Sequence, residues 1–139
     1  MVSTPPGSFT TLFDEPSPAV LTTYRDDGTA VATPVWFQLA QQRLEIVIAE
    51  DDVKLRHLAA RPACSLLVFE TVPPFRGVRV SGEPDLRRGD ATAVRRAIAC
   101  RYLGRDRGTQ FTAQRGPGVV LSFPLAGARV WDLEAILPA

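Results

Sequence analysis

The run from Ala63 to Phe69 limits the fold of this chain more than any other stretch. In an extended strand Cys64, Leu66 and Val68 point to one side and Leu67 and Phe69 to the other, so both faces are apolar. Such a strand needs cover on both faces, which puts it at the centre of a sheet or in a subunit interface. Pro62 precedes it and Val72-Pro73-Pro74 breaks it. Upstream lies a second strand, Leu44 to Ala49, in which Leu44, Ile46 and Ile48 alternate with Glu45, Val47 and Ala49. An acidic bend (Glu50, Asp51, Asp52) and a helix from Val53 to Arg61 join the two. On that helix Lys54, His57 and Arg61, spaced i, i+3, i+7, share one stripe, and Leu55, Leu58 and Ala59 fall on another. Cations and free backbone N–H groups that meet where a helix begins can hold an anionic group such as a phosphate. The same spacing also describes a solvated helix face.

Around this unit the chain alternates short strands with turn signals. Residues 1–18 hold four of the twelve prolines and are expected to form a flexible arm, with one folded domain over 19–139. Ala19 to Arg25 reads as a strand, Asp26-Asp27-Gly28 as a hairpin turn, and Thr29 to about Leu39 as the returning strand, with Pro34 marking an edge or a break. With Leu44 to Ala49 these would form a three-stranded meander. Phe75 to about Asp85 is a further strand with Val78 and Val80 inward, Arg79 and Ser81 outward, and Gly82 as a bend. Gly89 to Leu103 reads as a helix capped by Asp90, with Val94, Ala97, Ile98 and Tyr102 as its apolar side and Gly104 as its stop. Gly108 to Arg115 is expected to be a short helix or lid, and Gly118 to Pro124 and Ala128 to Leu133 a closing hairpin. The pattern describes a small β-barrel with helices at its ends.

Composition excludes more than it assigns. With 45% hydrophobic and 22% charged residues and a net charge of +1, the chain has no global pull toward nucleic acid or membrane. Seven arginines lie between Arg87 and Arg107, but they form no clean stripe and no aromatic residues interleave with them for base stacking. No apolar run approaches the ~18 residues of a membrane span and the start has no leader-like pattern, so a cytoplasmic protein is expected. One histidine, and no second Cys or His at ligand spacing around Cys64 or Cys100, point away from a metal site and from a hydrolytic triad. No phosphate-binding glycine loop and no nucleophile elbow are present. The catalytic residues are unknown from sequence; an enzyme of this kind would rely on a cofactor.

The segments Thr33-Pro34-Val35-Trp36-Phe37, Leu44 to Ala49, Lys54, Leu58, Arg61-Pro62, Ser65 to Val68 and Gly77 to Glu83 together resemble the pyridoxamine 5'-phosphate oxidase-like family, with its flavin- and deazaflavin-dependent oxidoreductases. The resemblance runs over roughly residues 19–133. It implies a mainly β fold, a six- to seven-stranded antiparallel split β-barrel of the FMN-binding type with two to three helices, assembled as a homodimer. It implies FMN or the deazaflavin coenzyme F-420 as cofactor and a small organic molecule as hydride acceptor. On the same scaffold a non-catalytic protein that sequesters a flavin or haem is the alternative.

Carried over by position, Lys54 takes the place of the lysine that touches the cofactor phosphate. Thr33 and Val35 match the second strand of the site, and Val47 and Ile48 the backbone beside the flavin ring. Where the FMN-binding oxidases carry an arginine on the second strand this chain has Thr33, and in place of Ser-Arg before the lysine it has Asp52-Val53. Two positive contacts are thus absent and a carboxylate sits close by. A deazaflavin tail is expected to use Lys54, His57 and Arg61, with Arg76 or Arg79 from the next strand. Tyr24, Trp36 and Trp131 are candidates for stacking on a ring or substrate; core or interface packing is the other reading, and the favoured one for Trp36. Arg101 and Tyr102 suit a substrate wall or a plain helix end.

Overall fold

The computed structural model describes residues 9–139, and its chain folds into two antiparallel sheets with helices at their edges. A short helix α1 (Thr10–Asp14) leads into β1 (Ala19–Tyr24) and β2 (Ala30–Val35), followed by β3 (Gln38–Ala40), β4 (Arg43–Ala49), α2 (Val53–Ala60), β5 (Cys64–Phe69), β6 (Gly77–Gly82) and β7 (Asp85–Arg87). Helices α3 (Ala91–Leu103) and α4 (Arg105–Ala113) come next, then β8 (Gly118–Pro124), β9 (Arg129–Trp131) and a 3-10 turn over Glu134–Ile136. One sheet has the order β2-β1-β5-β6-β9 and the other β3-β4-β8-β7.

The strand apolar on both faces, β5, is the middle strand of the five. Its Cys64, Leu66 and Val68 are buried and stand in register with Gly82, Val80 and Val78 of β6. Against them, across the core, lie Leu44, Ile46 and Ile48 of β4, paired with Phe123, Leu121 and Val119 of β8. Turn chemistry sets the hairpins. Gly28 adopts φ 89 between β1 and β2, where Asp27 Oδ1 accepts the Thr29 N–H at 2.9 Å. Gln41 and Gln42 both have positive φ, as a two-residue loop between β3 and β4 requires.

Several boundaries differ from the sequence reading, each for a long-range reason. The expected strand from Thr29 to Leu39 is two strands in different sheets, broken at Trp36 and Phe37. There the chain crosses between sheets and buries Phe37 completely. Pro34 does sit on an edge strand, β2. The expected meander is therefore split between the sheets. The closing hairpin does not form, because β8 pairs with β4 and β7 while β9 crosses over to β6. Asp90 stands at the N-cap of α3 without capping it, since its carboxylate is taken by Arg87 Nε at 2.8 Å. Of the expected arm, residues 1–8 lie outside the described residues. Phe9, Leu12 and Phe13 are buried in the core, so this portion is packed.

The second face of the four-stranded sheet is covered by α3, whose Ala91, Val94 and Ile98 close on Val120 with Trp36, Val47 and Tyr102 beside them. Glu45, buried on that face, is balanced by Arg87 and by Gln38 Nε2 at 3.0 Å. Tyr102 and Arg101 fasten the end of α3 to the crossover. The Phe37 N–H donates to Tyr102 Oη at 3.1 Å, Tyr102 Oη donates to the Ser17 carbonyl at 2.9 Å, and Arg101 donates to the carbonyls of Phe37, Phe13 and Glu15. Burial raises the Tyr102 hydroxyl pKa, which keeps it a neutral donor. These two residues thus hold the crossover in place.

Candidate functional site

Where the sheets meet, the end of β2, the crossover, the end of β4 and the helices α2, α3 and α4 surround a cavity of about 380 Å³. Its wall is formed by Pro34, Val35 and Trp36 on one side, Val47, Ile48 and Ala49 on another, Ile98 and Phe111 from the helices, and the charged groups Asp52, Lys54, Arg95 and Arg115. Trp36 stacks on Tyr102 with ring centroids 5.0 Å apart and an interplanar angle of 12°, and leans on Phe111 at 5.3 Å. The aromatic wall is fixed by this packing before any ligand arrives.

Lys54 enters the cavity from the first turn of α2. Asp52 caps that helix: its Oδ1 accepts the Lys54 N–H at 2.9 Å, and the Lys54 ammonium donates to Oδ2 at 3.1 Å. Both side chains are largely buried, at 16% and 23% exposure. The lysine charge is therefore already matched by a carboxylate. Arg95 is 9% exposed, donates from Nη1 to the Gly116 carbonyl at 2.6 Å, and has its pKa lowered first by burial and then by the nearby charge of Arg115. Arg115 lies over the Phe111 ring at 4.1 Å.

Of the residues singled out by sequence, Val35, Trp36, Val47, Ile48 and Lys54 line this one cavity. Thr33 stands one residue before its wall and has a buried Oγ1 with no hydrogen-bond partner among the described residues. The basic stripe does not hold together. His57 is buried and its Nδ1 lies 2.9 Å from Thr23 Oγ1, so it faces β1 and not the cavity. Arg61 is the C-cap of α2 and donates to the Asp26 carbonyl at 3.1 Å. Arg79 stands exposed on the outer face of the five-stranded sheet, opposite Leu67. Arg76 is engaged with Glu70 at 2.9 Å, which holds that carboxyl below its usual range. Tyr24 ends β1, and Trp131 lies across Gly77 on the outer face; neither lines the cavity.

Of the charged residues that line the cavity, Arg95 and Arg115 were not singled out by sequence reasoning. The signal was available for Arg95: a charged side chain among Ala91, Val94, Ile98 and Ala99, all buried on the same side of α3. Among the described residues no group of His, Cys, Asp and Glu is arranged to hold a metal ion, and no helix is long and apolar enough to cross a membrane. An apolar and aromatic lining that also includes Lys54, Arg95 and Arg115 suits a ligand that joins an apolar part to an anionic group.

Two antiparallel sheets that exchange strands around one core, with a cavity at their junction, make up the split β-barrel class. The chain belongs to the pyridoxamine 5'-phosphate oxidase family, whose model matches residues 7–131. In structure it is similar to a conserved hypothetical protein from Mycobacterium tuberculosis (TM-score 0.80, 20% identity, covering 99% of this chain and 91% of that one). It is also similar to an F-420 reductase (TM-score 0.68, 22% identity, 86% and 94% covered). A third is the haem storage protein HutZ from Vibrio cholerae (TM-score 0.66, 13% identity, 90% and 92% covered). At these identities the likeness shows a shared fold. No curated protein matches the sequence.

Proposed function

We propose that the chain is a flavin- or deazaflavin-dependent oxidoreductase whose cavity takes FMN or coenzyme F-420 and passes hydride between it and a small organic acceptor. The observation that carries this reading is the meeting of Val35, Val47, Ile48 and Lys54, which the family resemblance assigns to the coenzyme, in one cavity with Trp36, a candidate for ring stacking. Of the two coenzymes the deazaflavin is favoured only by the contacts that FMN lacks here, since His57, Arg61 and Arg79, expected to hold its tail, lie away from the cavity. Thr33 replaces an arginine, and Asp52 already occupies the Lys54 ammonium, which leaves little for a bare FMN phosphate. A fold relative known as an F-420 reductase agrees with this preference.

The coenzyme, when bound, supplies the two-electron hydride chemistry. The protein's own part is positioning. Val47 and Ile48 offer a rigid strand edge, and Trp36, braced by Tyr102 and Phe111, offers a fixed plane for one ring face. Thr33 Oγ1 is an unused hydroxyl close to the wall. The carboxylate of the wall, Asp52, is bound to Lys54, so solvent is left to protonate the product.

The protein works as a homodimer in this account. The outer face of the five-stranded sheet carries Val20, Leu67 and Phe69, half-buried, with the Trp131 ring over Gly77, and a second copy would cover it. Haem sequestration, the other reading, is less well supported: the chain's one histidine, His57, is engaged with Thr23 away from the cavity. The test is the visible spectrum of the purified protein, followed by titration with each coenzyme and an assay of whether any acceptor reoxidises the reduced form faster than buffer does. Binding with no turnover over a broad acceptor panel would leave a binding module in place of an enzyme.

A further inference from the structure

Arg95 and Arg115 share the cavity wall, and each repels the other's charge. Among the described residues neither forms an ion pair with a carboxylate. Glu50 and Asp51 line the adjoining hollow of about 520 Å³ that the two arginines also border, yet Glu50 is directed to Arg88 at 3.9 Å and Asp51 reaches no arginine. Asp52 is held by Lys54. A guanidinium that is nine-tenths buried beside a second cation is costly to leave without a counter-charge. The fold nevertheless builds a seat for it. The Gly116 carbonyl anchors Nη1, and a Cβ on residue 118 would fall 2.6 Å from Arg95 Nη2 and 2.8 Å from Val47 Cγ1. Glycine at 118 thus leaves room for the guanidinium beside the strand that forms the cavity wall.

We propose that Arg95 and Arg115 form an oxyanion site, and that the ligand of this cavity carries a phosphate or carboxylate that binds between them. The site deepens the reading given above, and rests on it in one respect: the anion belongs either to the coenzyme tail or to the hydride acceptor. Planar guanidinium forks bind such oxyanions in a bidentate manner. Lys54, masked by Asp52, is then the weaker of the two anion contacts.

The test uses the full chain and the variant Arg115→Ala, an exposed position whose loss spares the core, with thermal unfolding as the fold control. Inorganic phosphate, titrated by calorimetry at constant ionic strength against chloride, is expected to bind the wild type and to bind Arg115→Ala roughly tenfold more weakly. Phosphate binding that is absent, or equal in both proteins, overturns the site. Coenzyme F-420 and its tail-less deazaflavin then locate the source. A loss confined to the tailed form assigns the anion to the coenzyme, and a raised KM confined to carboxylate-bearing acceptors assigns it to the acceptor. Arginine-dependent phosphate binding without coenzyme binding keeps the site and refutes the oxidoreductase reading. Coenzyme binding without arginine dependence does the reverse.

Discussion

Lys54 Nζ lies 3.1 Å from Asp52 Oδ2, and the same carboxylate caps the helix that carries the lysine. The cavity's lysine is thereby held by its own cap. Because Asp52 masks the ammonium, Lys54→Ala should weaken binding of a phosphate-bearing coenzyme only about threefold, while Asp52→Asn, which keeps a good capping side chain and frees the ammonium, should tighten it by a factor of about three to ten. Titration of both variants checks the opposite signs. Equal affinities in wild type and both variants would reduce the pair to a helix cap.

The buried bond between Thr23 Oγ1 and His57 Nδ1 predicts a stability effect without a binding effect. Thr23→Val keeps the shape and leaves the imidazole nitrogen unpaired, a change worth ~1–3 kcal/mol. Urea unfolding should register that loss and coenzyme titration should not. A coenzyme affinity that falls with the mutation would return His57 to the binding site.

The contrast between Lys54 and His57 shows what the sequence could and could not convey. The 3.6-residue period did group Lys54, His57 and Arg61, but helical geometry ends at Ala60, and Arg61 takes extended angles (φ -134, ψ 96). Which side of so short a helix is buried was decided by β1 and its Thr23, 34 residues away in sequence from His57. The central position of β5 was legible because both its faces are apolar. The crossovers at Trp36 and before β9 were not, since a local turn signal looks the same whether the next strand pairs with its neighbour or changes sheet. Arg95 was legible in principle, as a charge on an apolar helix face, and was masked by the arginines around it.

Cys64 is buried between the sheets, and desolvation pushes its pKa from an ordinary 9.0 up to about 12. The native state therefore keeps the thiol proton where the unfolded chain loses it. Stability from this group is intact below pH 9.0 and falls as pH rises toward about 12. The slope is at most about 1.4 kcal/mol per pH unit. Urea midpoints of wild type and Cys64→Ala between neutral pH and pH ~10.5 should converge as pH rises. Parallel curves would mean that the thiol ionises in the folded protein as readily as in the unfolded one.

Leu67 stands at the middle of the outer face of β5, between Val20 and Arg79 in register. In the dimer proposed here its substitution by aspartate buries a charge in the interface. Sedimentation at micromolar concentration should give a dimer for the wild type and a monomer for Leu67→Asp. A wild-type monomer would remove the intersubunit contact from the account.

The claim that the cavity between Trp36, Val47–Ile48 and Lys54 is the coenzyme site is tested most directly by filling it. Ala49 lines the cavity from an exposed position, so Ala49→Trp adds bulk there without disturbing the core. Fluorescence titration with coenzyme F-420 and with FMN, with thermal unfolding as control, should show saturable binding of at least one coenzyme to the wild type. The equally stable variant should bind neither. Unchanged binding in Ala49→Trp, or no binding of either coenzyme to the wild type, would contradict the account.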